Sequence, residues 1–470
     1  MAEGSFFVFR RALSLVLVFF TGISDLSALA LMTIQKNYTL TVAITLVIAN
    51  MIGTGVFTSL GYQVSPLPSG FVILMLWFLG GVVAVCGALT YAEIATTLKK
   101  SGGEYLYLSK IFHPVFGFLS GWMSALVGFA GAISAVAIAI GEYATKAAGI
   151  STKVIAIFAI ILVSTVHWFG VKTGGRAQTF LTGLKLSLIL FFCIAPFFVT
   201  SVSKTEIHFL PQPGDWNLIL SPGFAISLAF VVYAYTGWNA SAYIAGNLDN
   251  PSRNLPISLV LGTVIVIVIY LSLNGMFLYT ATFQELQGQN DIGNVVAHKL
   301  FGSKAGFIFS GIFSFALLST LSAMTIAGPR VTEAMGEDYT LLKSFSAKNK
   351  YHMPYLAILV QAGWSIFLVL VSSFTEIIQY ISVSLSIFTV MTVFGIFFLR
   401  KKYTSTDHFK IPLYPLPPII FILCTCWMIY YVAIEDFKII LYSLGTMIPG
   451  LILYFMASHR NKKNNINQNE

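Results

Sequence analysis

Apolar runs of about twenty residues follow one another along nearly the whole chain, and a run of that length is what a helix needs to cross a bilayer. The hydrocarbon layer offers no water to backbone N–H and C=O groups, so each run has to satisfy them internally, as helix. Twelve runs can be read, at approximately 38–62, 70–97, 114–145, 153–171, 178–201, 222–246, 256–281, 304–332, 354–373, 376–400, 416–435 and 439–458. Charged residues are only 10% of the 470, against roughly 25% in soluble domains. The expectation is an all-α polytopic membrane protein. A soluble enzyme with a single anchor is excluded.

Orientation follows from the basic residues. With the segment before residue 38 placed inside, the inner loops and the tail hold eighteen Lys and Arg, among them Lys99, Lys100, Arg330, Arg400 and Lys401, and the outer loops hold six. That split predicts cytoplasmic termini for the twelve-run core. The net charge of +9 is therefore an orientation signal, not a nucleic-acid footprint. Residues 1–35 fit this scheme poorly. Leu13 to Leu31 is apolar, but Asp25 interrupts it and Arg10, Arg11 and Lys36 flank both ends. They read as an over-called start, with Met32 as the alternative, or as a segment lying on the membrane surface.

Little in the chain points to chemistry on a bond. Cys86, Cys193, Cys424 and Cys426 all fall in apolar runs, where they are expected to be small buried hydrophobes. His167 and His208 are isolated and read as interface or loop residues. No metal-ligand or nucleophile–base spacing occurs, so no catalytic residue, metal or cofactor is expected.

Two runs are broken by glycine at corresponding places. The first reads Asn50-Met51-Ile52-Gly53-Thr54-Gly55-Val56-Phe57 and the second Tyr233-Ala234-Tyr235-Thr236-Gly237-Trp238-Asn239. Small residues also serve close helix packing, so GTG alone says little. Paired with a second break in a corresponding segment, it points to the binding site of a transporter. At the first break a new half-helix begins near Val56, and its free N–H groups suit a carboxylate contacted around Thr54 and Gly55. At the second, a half-helix ends near Tyr235 and presents carbonyls that suit a protonated amine. Carboxylate and ammonium together are the backbone of an α-amino acid.

These residues resemble the amino acid–polyamine–organocation superfamily, close to bacterial amino acid permeases and the L-type amino acid transporters. The resemblance runs from about Thr39 to the end of the core. It rests on GTGVF at 53–57, Tyr91-Ala92-Glu93, Ser101-Gly102-Gly103-Glu104-Tyr105, AYTGWN at 234–239, the Asn250 to Pro256 segment, Gly328-Pro329-Arg330, and Ile411-Pro412 to Tyr414-Pro415. It implies a LeuT-type fold of twelve helices with helices 1 and 6 discontinuous. Helices 1–5 would occupy 36–201 and helices 6–10 would occupy 202–403 as inverted repeats. Helices 11–12 would occupy 404–458, with a polar tail over 459–470. It further implies that the carboxylate meets Thr54 and Gly55, and that the amine meets carbonyls of Met51, Tyr233, Ala234 and Thr236. Gly53 and Gly237 would unwind the breaks, and Tyr233 would gate the site from outside. The chain departs from its relatives at Asn247, where they usually carry Glu. A coupling role for that position is therefore in doubt here, with Asp249 as the nearby substitute.

Lys185 lies eight residues into the fifth run, roughly 12 Å from its cytoplasmic end at 1.5 Å per residue. A lysine at that depth marks function unless it snorkels to the interface. By resemblance it contacts the broken first helix, and it is expected to couple transport to the proton. Glu93 and Glu104 flank the loop between helices 2 and 3 and are expected to form inner-gate salt bridges. The core runs lack a mid-membrane carboxylate, which favours neutral amino acids over cationic ones. The rival readings are an amino acid or polyamine antiporter, and a non-transporting amino acid sensor. The relatives that join a heavy chain do so through a cysteine after helix 3. The loop at 146–153 has none, so no disulfide-linked partner is expected, and a bacterial inner membrane fits best.

Overall fold

Short polar residues set where the helices begin. Thr39, Ser69, Ser221 and Ser373 each accept a backbone N–H from the first turn that follows, and Pro222 occupies the first helical position after Ser221. Ser373 and Glu376 form a reciprocal capping box, which gives Glu376 a structural role at a helix start. The computed structural model describes residues 38–99, 102–169, 174–195, 207–403 and 408–469. The extension at 1–35 lies outside the described residues.

In chain order the principal helices are α1 (Leu40–Met51), α2 (Gly55–Thr58), α3 (Gly70–Leu98), α4 (Gly103–Ile111), α5 (Pro114–Met123), α6 (Ala130–Ala148), α7 (Thr152–Trp168) and α8 (Gly174–Ile194). They continue as α9 (Pro222–Tyr235), α10 (Pro251–Thr280), α11 (Ile292–Asp338), α12 (Tyr355–Val371), α13 (Phe374–Lys402), α14 (Leu416–Glu435) and α15 (Phe437–Asn469). A π-helical turn, Ser124–Phe129, joins α5 to α6. Among the described residues, strand pairing is limited to two isolated bridges, Tyr38 with Leu248 and Lys348 with Pro354.

Eight helical stretches among the described residues are long and apolar enough to cross a membrane. Four shorter apolar helices accompany them: Thr152–Trp168, Gly183–Ile194, Pro222–Tyr235 and Tyr355–Val371. The protein is thus an all-helical, multi-pass membrane protein. Some boundaries differ from those read in the sequence. The sixth run is α-helical only to Tyr235 and then continues as a 3-10 segment, Ala240–Asn247. The eighth runs on to Asp338 and is preceded by a separate helical segment from Ile292, the two meeting at non-helical backbone at Gly302.

The packing places both broken runs at the centre. α10 lies along α3 and α1, while α11 packs against α6 and α8. Among the eight long spans the last two are the least buried. The cysteines follow this gradient, which corrects the expectation that all four are buried: Cys86 is, Cys193 and Cys424 are half-buried, and Cys426 is exposed.

Candidate functional site

The structure interrupts the helix at both glycine-marked places. α1 ends at Met51, Ile52 turns to extended backbone, and helix resumes at Gly55. α9 ends at Tyr235, Thr236 is extended, and Gly237 takes φ 105°, a conformation that side chains other than hydrogen seldom permit. The breaks face each other at backbone contact. A Cβ on Gly55 would stand 2.6 Å from Ala234 Cα, and one on Gly237 would stand 2.9 Å from the Asn50 carbonyl carbon. Each glycine therefore lets one break touch the other.

Polar bonds tie the same elements together. The Thr54 and Tyr233 hydroxyls are 3.1 Å apart. The Tyr233 carbonyl accepts the Thr236 N–H at 3.1 Å. The Met51 and Ala234 carbonyls both lie within reach of the Tyr270 hydroxyl, at 2.7 and 3.0 Å. The Met51 and Ala234 carbonyls thus share one hydroxyl donor, the Tyr233 carbonyl has the Thr236 N–H, and all three keep acceptor capacity for a further donor. Lys185 is 3% exposed, so its head group does not snorkel. Its Nζ donates to the Ile52 carbonyl at 2.5 Å, inside the first break, and to Thr320 Oγ1 at 3.2 Å. Thr320 in turn is the nearest neighbour of the open space beside Gly53.

One side of the breaks is closed and the other is accessible. Thr54 and Tyr233 are buried, whereas Asn50 and Thr236 are exposed. Beyond Tyr233 the Tyr62 ring stacks on Phe230 at 5.4 Å and on Phe374 at 6.3 Å, and its hydroxyl bonds Asn290.

The two carboxylates at the opposite end behave differently. Glu93 is 1% exposed and forms a bidentate pair with Arg400, both contacts at 2.6 Å, while also accepting the Ile411 N–H at 2.7 Å. The guanidinium stacks over the Tyr414 ring at 3.6 Å. Glu104 corrects the expectation of a salt bridge. Among the described residues its partners are neutral donors: Tyr91 at 2.9 Å, Asn239 at 2.7 Å and Tyr243 at 2.5 Å. Asn239 and Tyr243 flank and follow the second break, so this carboxylate anchors the break to α3 and α4. The side chain of Asn247 lies outside the described residues.

Sequence reading singled out neither Tyr270 nor Thr320. Both sit within helices apolar enough that one hydroxyl looks like ordinary core, and only the fold brings them to the breaks. What the assembled site can do is bind: amides, hydroxyls and helix-end carbonyls converge without a paired nucleophile and base.

Comparison with known proteins adds an independent line. A family profile described as amino acid permease matches residues 39–457. The chain is 29% identical to the serine/threonine exchanger SteT of Bacillus subtilis, over 91% of this chain and 98% of that protein. It is 27% identical to the b(0,+)-type amino acid transporter 1 of Mus musculus, over 90% of this chain and 88% of that one. With the cystine/glutamate transporter of Homo sapiens it shares 25% identity, over 81% and 77% respectively.

Proposed function

The chain belongs to the amino acid permease family, whose members are transporters and not enzymes, and from that membership we propose that it carries neutral α-amino acids by proton-coupled alternating access. The observation that supports this reading most is the face-to-face meeting of two unwound segments, Thr54 beside Tyr233 and Gly55 against Ala234. One segment supplies N–H groups and a hydroxyl for a carboxylate, and the other supplies carbonyls for an ammonium. In this reading the carboxylate sits at Gly53, Thr54 and Gly55. The amine sits at Met51, Tyr233, Ala234 and Thr236, with Gly237 shaping the turn. Tyr233 serves as outer gate, and Glu93 and Glu104 restrain the inner end. The eight long and four short apolar helices are consistent with twelve crossings in a LeuT-type 5+5 arrangement. The loop charges favour cytoplasmic core termini in a bacterial inner membrane, and the cysteine-free loop at 146–153 favours work without a disulfide-linked heavy chain.

The test is competition by a panel of the common amino acids in reconstituted vesicles, with and without a pH gradient. Neutral amino acids should compete, and a gradient should drive their accumulation. A panel with no competitor would sink the proposal.

Lys185 is the proposed coupling group, because a fixed cation on the Ile52 carbonyl holds the first break in its bent form. Removing it leaves a buried carbonyl unpaired, a penalty of about 1–3 kcal/mol. Lys185→Ala should therefore lower uptake by about five- to 150-fold, since 1.4 kcal/mol corresponds to tenfold, and erase the response to the pH gradient. Unchanged rate and pH response would remove the lysine from the mechanism.

A second reading, obligatory exchange of one amino acid for another, is favoured by the match to a protein named as an exchanger. Preloading vesicles with counter-substrate separates the two. Exchange requires an internal amino acid, and proton symport does not.

A further inference from the structure

Phe394 and Phe398 of α13 are each 47% exposed, while Gly395, Ile396 and Leu399 on the other side of the helix are buried. The two rings are one turn apart, and the same outward face continues through Lys401 and Lys402, three and four residues beyond Phe398 and both exposed. The end of α4 closes in from the side. A Cβ on Gly395 would stand 3.0 Å from Ile111 Cδ1 and 3.3 Å from Phe112 Cε2, so this end of α4 lies almost on the α13 backbone. The Phe112 ring meets Phe398 edge-on with centroids 5.5 Å apart, and Phe394 meets Phe398 in the same way, also at 5.5 Å. Together these rings form an aromatic ledge, built from two elements, on the surface turned to lipid.

One end of the ledge is basic. Lys110, two residues before Phe112, is exposed, so lysines from both sides converge where Lys401 and Lys402 leave the helix. Among the described residues none of these three lysines pairs with a carboxylate. Lys402 Nζ stands 6.0 Å from the Tyr403 ring, at the far limit of a cation–π contact. Arg400, next in sequence, is engaged by Glu93. From Arg400 to Leu416 the sequence holds four basic residues and a single acid, Asp407. Snorkelling accounts for lysine heads at a membrane surface, but not for a fixed apolar ledge beneath them.

We infer that the cleft between α4 and α13 is a binding site for an anionic phospholipid, with its acyl chains along Phe394, Phe398 and Phe112 and its phosphate between Lys110 and the Lys401–Lys402 pair. Basic pockets between membrane helices suit such headgroups. A zwitterionic lipid brings its own ammonium against the lysines and loses this attraction. A free phosphate would meet the lysines and leave the rings without a partner. The inference depends on neither the cargo nor its coupling, and needs only that the chain spans a membrane.

The test uses the purified full chain in nonionic detergent. Its melting temperature is read as phosphatidylglycerol is titrated in, with phosphatidylcholine and inorganic phosphate as parallel probes. A ligand held only by the folded protein raises that temperature as its concentration rises. Phosphatidylglycerol should do so saturably, and the other two should not. Lys110→Gln combined with Lys402→Gln, one lysine from each side, should need about tenfold more phosphatidylglycerol for half the shift, or more. Lys343→Gln with Lys350→Gln removes the same charge from exposed positions between α11 and α12 and should titrate as wild type. Phe398→Ala should weaken the response with every lysine in place. Equal shifts from phosphatidylglycerol and phosphatidylcholine would overturn the inference, as would equal responses of the two double variants. A shift reproduced by inorganic phosphate alone, or a wild-type titration in Phe398→Ala, would overturn it as well.

Discussion

Gly55→Ala is expected to abolish most transport while leaving the protein in the membrane. The added methyl would meet Ala234 Cα at 2.6 Å and Ala234 Cβ at 2.7 Å, and the first of these is backbone that cannot swing aside. Overpacking of this kind costs about 1–3 kcal/mol in a close-packed interior. Relief comes only by moving α2 away from α9, which stretches the 3.1 Å contact between Thr54 and Tyr233. Both proposed seats are spoiled by one atom. Uptake should fall by at least about tenfold and the melting temperature should drop, each read on purified protein in the same lipid. Gly53→Ala provides the comparison, because nothing lies closer to its added methyl than Thr320 Cγ2 at 4.0 Å. That variant should keep the wild-type melting temperature, so any loss of uptake in it reports on the ligand's space. Full transport by Gly55→Ala would show that the breaks do not form the site.

The second large effect is expected at Glu93. Its carboxylate is all but excluded from solvent and has Arg400 and the Ile411 N–H as partners. Removing one member of a buried pair costs about 3–5 kcal/mol, mostly from the partner left uncompensated. Arg400 retains 28% side-chain exposure, which places Glu93→Gln near the lower end of that range. Replacing both residues by leucine should recover much of the loss, because apolar substitutes of similar size often equal a buried ion pair. A double-mutant cycle on thermal stability should give a coupling above about 1 kcal/mol. Additive single effects would mean that the pair does not hold α3, α13 and the chain near Ile411 together.

Some of this was legible in the residues and some was not, for physical reasons. Glycine within an apolar run is visible because few residues tolerate the turn or the contact it permits. Lys185 is visible because a charge in hydrocarbon needs a partner. Tyr270 was hidden: α10 is apolar on every side, so no polar face tells which tyrosine meets protein backbone and which meets lipid. Glu104 misled in another way. A carboxylate near a basic loop reads as half of an ion pair, but three neutral donors surround it here, two of them 135 and 139 residues away in sequence. The break near Tyr235 was legible from its glycine, but hydrophobicity alone did not show that the rest of the sixth run, Ala240–Asn247, is 3-10 and not α-helical.

The glycine contacts across the breaks carry one more consequence, for how such a protein can change over generations. Backbone fills the space at Gly55 and Gly237, so no side chain there can be enlarged or trimmed to suit a new cargo. What those contacts recognise is the part that all α-amino acids share. Discrimination among amino acids must then be written on other helices, where substitutions leave the breaks undisturbed. A lineage built on this plan can change its diet without redesigning its machinery.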